Sequence, residues 1–212
     1  MQTAKMERIL RIIASLYDGY RKPAVTQVQE EHRDPFKVLV STMLSLRTRD
    51  AVTAEASAAL FARAGTAREL AALPENELMA AVRRVNYFRT KALNIKKVSA
   101  IVATRGGVPD SLEGLLALPG VGRKTANLVL TLGFGAYGIC VDTHVHRLTN
   151  RMGMVATRTP GETEFALRAT LPRRWWLQIN DLLVVWGQNV CLPRNPKCAT
   201  CAVRDLCEGP VS

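Results

Sequence analysis

Aromatic side chains make up only 6% of the 212 residues, so Leu, Val, Ile and Ala must fill most of any core. No run of about eighteen apolar residues occurs, which excludes a membrane-spanning helix of ordinary length. The first seventeen residues carry no unbroken apolar stretch ahead of a small-residue cleavage site, so nothing marks export. Acidic residues are scarce as well: 18 Asp and Glu stand against 29 Lys and Arg, a formal charge of +11 spread along the chain rather than confined to a tail. Such an excess points to a polyanion, since each phosphate neutralised releases condensed counterions and adds affinity without sequence information. A membrane surface fits less well, because no lysine-rich amphipathic segment flanks an apolar anchor.

Cysteine is also rare, five in all, yet four stand together as Cys191-x6-Cys198-x2-Cys201-x5-Cys207. Four soft thiolates within seventeen residues can complete a coordination sphere locally, and thiolates select iron-sulfur clusters or zinc. Structural zinc sites usually use two close cysteine pairs, whereas only Cys198 and Cys201 form one here. Two disulfides suit the pattern less, because a soluble intracellular (cytoplasmic) chain keeps its thiols reduced. Cys140 sits alone in an apolar stretch and reads as an inert core thiol.

Apolar residues recur at helical spacing almost throughout, and no alternating strand pattern survives beyond the brief stretch 137–141. The expected class is all-α. Asp34 and Pro35 announce a helix over 35–45, Asp50 is a candidate cap for the next, and Ser111 starts a short helix stopped by Pro119 and Gly120. Thr159 and Glu162 form a capping-box pair, and 173–186 reads as one helix bringing Trp175, Trp176 and Trp186 to the core.

Two motifs carry candidate chemistry. In Leu118-Pro119-Gly120-Val121-Gly122-Arg123-Lys124-Thr125-Ala126-Asn127, glycines without Cβ atoms let backbone N–H groups approach a phosphate at the start of the following helix. Gly120, Val121, Gly122 and Arg123 are therefore candidate DNA-backbone contacts. Lys124 lies in the first turn, opposing the helix dipole, which is useful where an amine nucleophile is wanted. Eighteen residues on, Asp142 stands in Val141-Asp142-Thr143-His144 with apolar residues before it, positioned as a buried helix N-cap. His146 lies near it and reads equally well as a core histidine satisfied by hydrogen bonds.

These motifs, with Asn150-Arg151 and the whole cysteine spacing, resemble endonuclease III, the helix-hairpin-helix DNA glycosylase/AP lyase family with a [4Fe-4S] loop. The resemblance implies two helical lobes with a DNA-binding cleft between them: a six-helix barrel at 28–136, and a discontinuous lobe of 1–27 and 137–212 carrying the cluster loop 191–207. It implies Lys124 and Asp142 as catalytic residues, and Cys191, Cys198, Cys201 and Cys207 as ligands of a [4Fe-4S] cluster. Arg194 and Lys197 within that loop would face phosphates. The implied activity removes oxidised pyrimidines such as thymine glycol from double-stranded DNA, acts at abasic sites, and nicks the strand by β-elimination, with the protein a monomer. Where many relatives have glutamine to fill the gap left by a flipped base, this chain has Arg47, whose preference for guanine edges points to lesions opposite G. Tyr87 stands where an aliphatic wedge is common. A monofunctional mismatch glycosylase (adenine or thymine/uracil) and a noncatalytic DNA-binding module are the competing readings, and Lys124 together with Asp142 disfavours both.

Overall fold

The computed structural model describes residues 2–209; positions 1 and 210–212, at the ends of the expected discontinuous lobe, lie outside it. Among the described residues there are twelve α-helices and no strand. The chain divides into two compact units, Met1–Pro23 with Tyr137–Ser212, and Ala24–Ala136. The division falls at Ala24, where a helix begins, and not at 28, which lies inside that helix. Pro23, which restricts the residue before it to extended backbone, separates the two segments.

The unit Ala24–Ala136 is built around α3 (Pro35–Ser45), whose residues Phe36 and Val38 to Leu44 are all buried. A helix apolar on every face must be surrounded. It is packed by α2 (Ala24–His32), α4 (Asp50–Phe61), α7 (Phe88–Arg105) and α9 (Arg123–Leu128). Each of its apolar side chains, Phe36, Val38, Leu39, Val40, Met43 and Leu44, contributes about 1.5–3 kcal/mol when removed from water. Asp34 caps α3 through Phe36 N at 2.8 Å, with Pro35 in the first turn, as the local sequence predicts. Asp50 departs from expectation: Arg49 is the cap residue of α4, and the Asp50 carboxylate accepts from Ala24 N at 3.0 Å, tying α2 to α4. The complete capping box lies at α5 (Ala67–Ala72), where Thr66 and Glu69 exchange bonds. Next come α6 (Glu75–Ala81), the long α7 that supports both short helices, and α8 (Leu112–Leu116) capped by Ser111. One turn of π-helix, Val129–Gly133, extends α9.

The other unit packs α1 (Gln2–Ser15), α10 (Thr143–Arg151), α11 (Pro160–Thr170) and α12 (Ile179–Asn189) about Met6, Ile9, Leu10, Ile13, Val145, Leu148, Leu183 and Trp186. Its α10 and α12 meet closely at Gly187, where any Cβ would lie 2.4 Å from His144 Nδ1. The expected helix 173–186 is broken: a 3₁₀ turn, Arg173–Trp175, precedes α12. There Arg173 stacks over Tyr137 and Trp176, 4.4 and 5.5 Å from their ring centroids. At 159–162 only half a box forms, since Glu162 accepts from Arg158 N instead of Thr159 N. No described helix is long and apolar enough to cross a membrane.

Candidate active site and cysteine loop

Between α8 and α9 the chain turns through Pro119–Gly122, anchored by buried Leu118 and Val121 and closed by Val121 N donating to Leu118 O at 3.1 Å. Gly120 has φ +76°, and a Cβ there would lie 2.5 Å from Asn94 Nδ2 of α7, so both conformation and space demand glycine. Gly122, extended and exposed, is the N-cap residue of α9. Arg123 follows in solvent, and Lys124, the second residue of α9, is half-buried above the buried Thr125 and Ala126.

In the other unit, Asp142 is the N-cap of α10. Its Oδ1 accepts from both His144 N and Val145 N at 2.9 Å, which leaves Oδ2 outside the cap. The preceding Ile139, Cys140 and Val141 are buried, but Asp142 itself is only partly so. His146 bonds Thr163 Oγ1 at 2.7 Å through Nδ1 in a network with Asn150 and Thr157, which marks it as a satisfied structural histidine. Cys140 is fully buried.

Arg47 and Tyr87 are brought together. Both are exposed, and the guanidinium lies 6.0 Å from the ring centroid. Both also have left-handed backbones, φ +54° and +58°, a conformation that costs an L-residue about 1–2 kcal/mol. Behind them stands a residue the sequence reading missed: Lys91 of α7, buried, with its ammonium donating to Leu44 O, Leu46 O and Thr48 Oγ1. Burial, with added repulsion from Lys124, pulls this amine from its ordinary 10.5 down to about 8.

The cysteine loop follows α12. Two 3₁₀ turns, Cys198–Thr200 and Arg204–Leu206, fold it so that Cys191, Cys198, Cys201 and Cys207 line one cavity with Met152, Val190, Pro196 and Val203. None of the four is in a disulfide. Burial pushes the Cys201 thiol up, and neighbouring Cys191, Cys207 and Cys198 push it the same way, against one backbone hydrogen bond from Val203. Two arginines of α10 hold the loop. Arg151 donates to Cys191 Sγ at 3.4 Å and Leu192 O at 2.9 Å, while Arg147 donates to Gly187 O and Cys191 O at 3.2 and 3.0 Å. Their roles are not readable from spacing, because a solvated arginine leaves the same pattern. Arg194 and Lys197 are exposed on the loop. Among the described residues, no three His, Cys, Asp or Glu side chains converge closely enough to hold a single metal ion.

Comparison with known proteins adds a separate line. Residues 40–173 match the family described as HhH-GPD superfamily base excision DNA repair protein. Endonuclease III of Thermotoga maritima is 49% identical over 177 residues, spanning 82% of this chain and 83% of that protein. Endonuclease III-like protein 1 of Bos taurus is 45% identical; the alignment covers 81% of this chain but 58% of that longer protein. The solved structure of a trapped endonuclease III–DNA covalent intermediate, an estranged-adenine complex, is 30% identical with a TM-score of 0.86, over 98% of this chain and 96% of that one.

Proposed function

We propose the following reaction for a chain that belongs to the endonuclease III family, DNA glycosylase/AP lyases of the HhH-GPD superfamily. Lys124, as the neutral amine, attacks C1′ of a damaged nucleotide turned out of the duplex. The C1′–base bond breaks, the base leaves with its electron pair and takes up a proton, and the sugar opens to a Schiff base on Nζ. Loss of a C2′ proton then expels the 3′ phosphate by β-elimination, and water releases the lysine. Asp142 supplies the carboxylate that stabilises positive charge developing on the sugar and exchanges protons with the reacting groups. Its Oδ1 is fixed by two backbone N–H groups, so the side chain does not have to be ordered again during the reaction.

The observation that carries this reading is the placement of Lys124 two residues after the Gly120–Gly122 hairpin, on a chain of charge +11. The hairpin N–H groups and Arg123 hold the DNA backbone while the amine, in the first turn of α9, stands beside them. Substrates are oxidised pyrimidines such as thymine glycol in double-stranded DNA, and abasic sites, bound by a monomer. Arg47 fills the space the base vacates, with Tyr87 as the stacking wedge.

The four thiols fit a [4Fe-4S] cluster better than one zinc ion. Each cysteine of such a cluster binds a different iron, and the four cysteines here line one cavity. Cys191, Cys198, Cys201 and Cys207 would hold the group, which would cross-link the loop that carries the exposed Arg194 and Lys197. A reducing compartment such as the cytosol suits these thiols.

Borohydride tests the reaction directly. Incubated with thymine-glycol duplex, the wild-type chain forms a covalent protein–DNA adduct on reduction, and Lys124→Gln forms none while keeping its duplex affinity within about threefold. A variant that still excises at the wild-type rate removes Lys124 from the reaction.

A further inference from the structure

In the first turn of α7 a lysine ordinarily faces water, yet Lys91 turns inward and is 8% exposed. Its ammonium donates to three oxygens at the end of α3 and in the link that follows it: Leu44 O at 2.8 Å in the last turn, then Leu46 O and Thr48 Oγ1 at 3.0 Å. None of the three acceptors is anionic, so these contacts hold the charge without neutralising it. Leu44 lies in the last turn of α3 and Leu46 is its C-cap residue, so the ammonium ties the end of that helix to α7, which an apolar side chain of similar length could not do. Asn86, just before α7, closes the same turn from outside by donating Nδ2 to Arg47 O. Arg47 therefore sits between two clamps, its carbonyl gripped by one and its flanking residues 46 and 48 by the other. The segment that provides both clamps also carries Tyr87, whose ring faces the Arg47 guanidinium.

The geometry points to Lys91 and Asn86 as positioning residues that weld the turn 44–48 and the segment 86–88 into one wedge, so that Arg47 and Tyr87 act on the duplex as a single rigid piece. This rests on the glycosylase reading above. Neither residue touches the reacting atoms. Lys91 sets where the wedge stands, and Asn86 sets the left-handed bend that points Arg47 outward.

A purely structural Lys91 would lower every activity alike, whereas a wedge clamp acts only where a partner strand must be pried from its mate. The test uses two substrates, an abasic site in a duplex opposite 2-aminopurine and the same abasic strand alone, with borohydride trapping on both and fluorescence of the unstacked 2-aminopurine on the duplex. Lys91→Met and Asn86→Ala are expected to lose at least tenfold more rate on the duplex than on the single strand, and to lower the fluorescence rise at least threefold. Lys91→Arg, which keeps charge and donors, recovers half of the loss or more. Lys96→Met, which removes a bond from the same helix to Leu73 O instead, stays within twofold of wild type on both readouts. Asn86 is exposed, so its variant carries the test if Lys91→Met does not fold. Equal proportional losses on the two substrates, or an undiminished fluorescence rise, overturn the inference. A wild type that traps on neither substrate sinks the underlying reaction and the inference with it.

Discussion

Asp142 has two duties that a pair of substitutions separates. Its Oδ1 accepts from His144 N and Val145 N, both at 2.9 Å, and its charge stands at the positive end of α10. Asparagine keeps an oxygen in the same place and is as good a cap, so Asp142→Asn loses only the charge–dipole attraction, about 0.5 kcal/mol. Alanine loses the cap as well, roughly 1 kcal/mol more. For a chain of this size each kcal/mol moves Tm by about 2–4 °C. The expected falls are therefore ~1–2 °C for asparagine and ~3–6 °C for alanine, read by circular dichroism with the cluster intact. Activity divides differently, because the reaction needs the charge and not the cap. Both variants should lose about 10²–10⁴-fold in single-turnover excision, the range for a positioned proton-transfer group, with affinity for damaged duplex largely retained. An Asp142→Asn that cuts at the wild-type rate refutes the catalytic role. An Asp142→Asn that melts as low as Asp142→Ala refutes the account of the cap.

Gly120→Ala must adopt φ +76° and push Asn94 Nδ2 from 2.5 Å, so the hairpin N–H groups should swing off the backbone and weaken undamaged-duplex binding by about tenfold, or ~1.4 kcal/mol. Adding Asn94→Ala should restore part of it, and an unchanged anisotropy titration would remove the hairpin from DNA binding. Iron and sulfide should each approach about four per chain with a brown absorbance, falling in Cys198→Ser; stoichiometric zinc would refute the cluster.

Most of the architecture was legible because it rests on local rules. Asp34–Pro35 starts α3 and Ser111 starts α8 where capping chemistry says they should, and the apolar spacing of Met6, Ile9, Leu10 and Ile13 gives the buried face of α1. Failures came where a side chain took a partner other than the one its position suggests. Asp50 left its own helix end for Ala24 N, and Glu162 reached one residue past the expected Thr159 N, to Arg158 N. Leu16 continues the α1 spacing yet is 40% exposed, because the helix ends at Ser15 and the chain turns away. The glycine hairpin and the cysteine loop were readable since their chemistry lies in contiguous sequence. Arg147 and Arg151 were not, for their acceptors lie some 40 residues away on the cysteine loop.

The turn around Arg47 is where local rules and the observed structure disagree most, and the disagreements have one direction. Arg47 follows the end of α3 in a left-handed conformation, a position where glycine ends helices without strain. Tyr87 opens α7 in the same conformation with no capping side chain, where glycine or asparagine would adopt the backbone at less cost. Lys91 buries an ammonium group whose three hydrogen bonds fix that same turn. Arg33, the other left-handed arginine, closes α2 by donating its N–H to Gln29 O at 2.8 Å. Two left-handed backbones at one exposed arginine–tyrosine pair are not explained by folding, since a residue that adopts that conformation at less cost exists for each. They are explained if the side chains themselves are wanted outside the fold, held stiffly enough to act on another molecule. Sequence spacing cannot report that, because it shows which residue stands at a position and not which better-folding residue has been passed over.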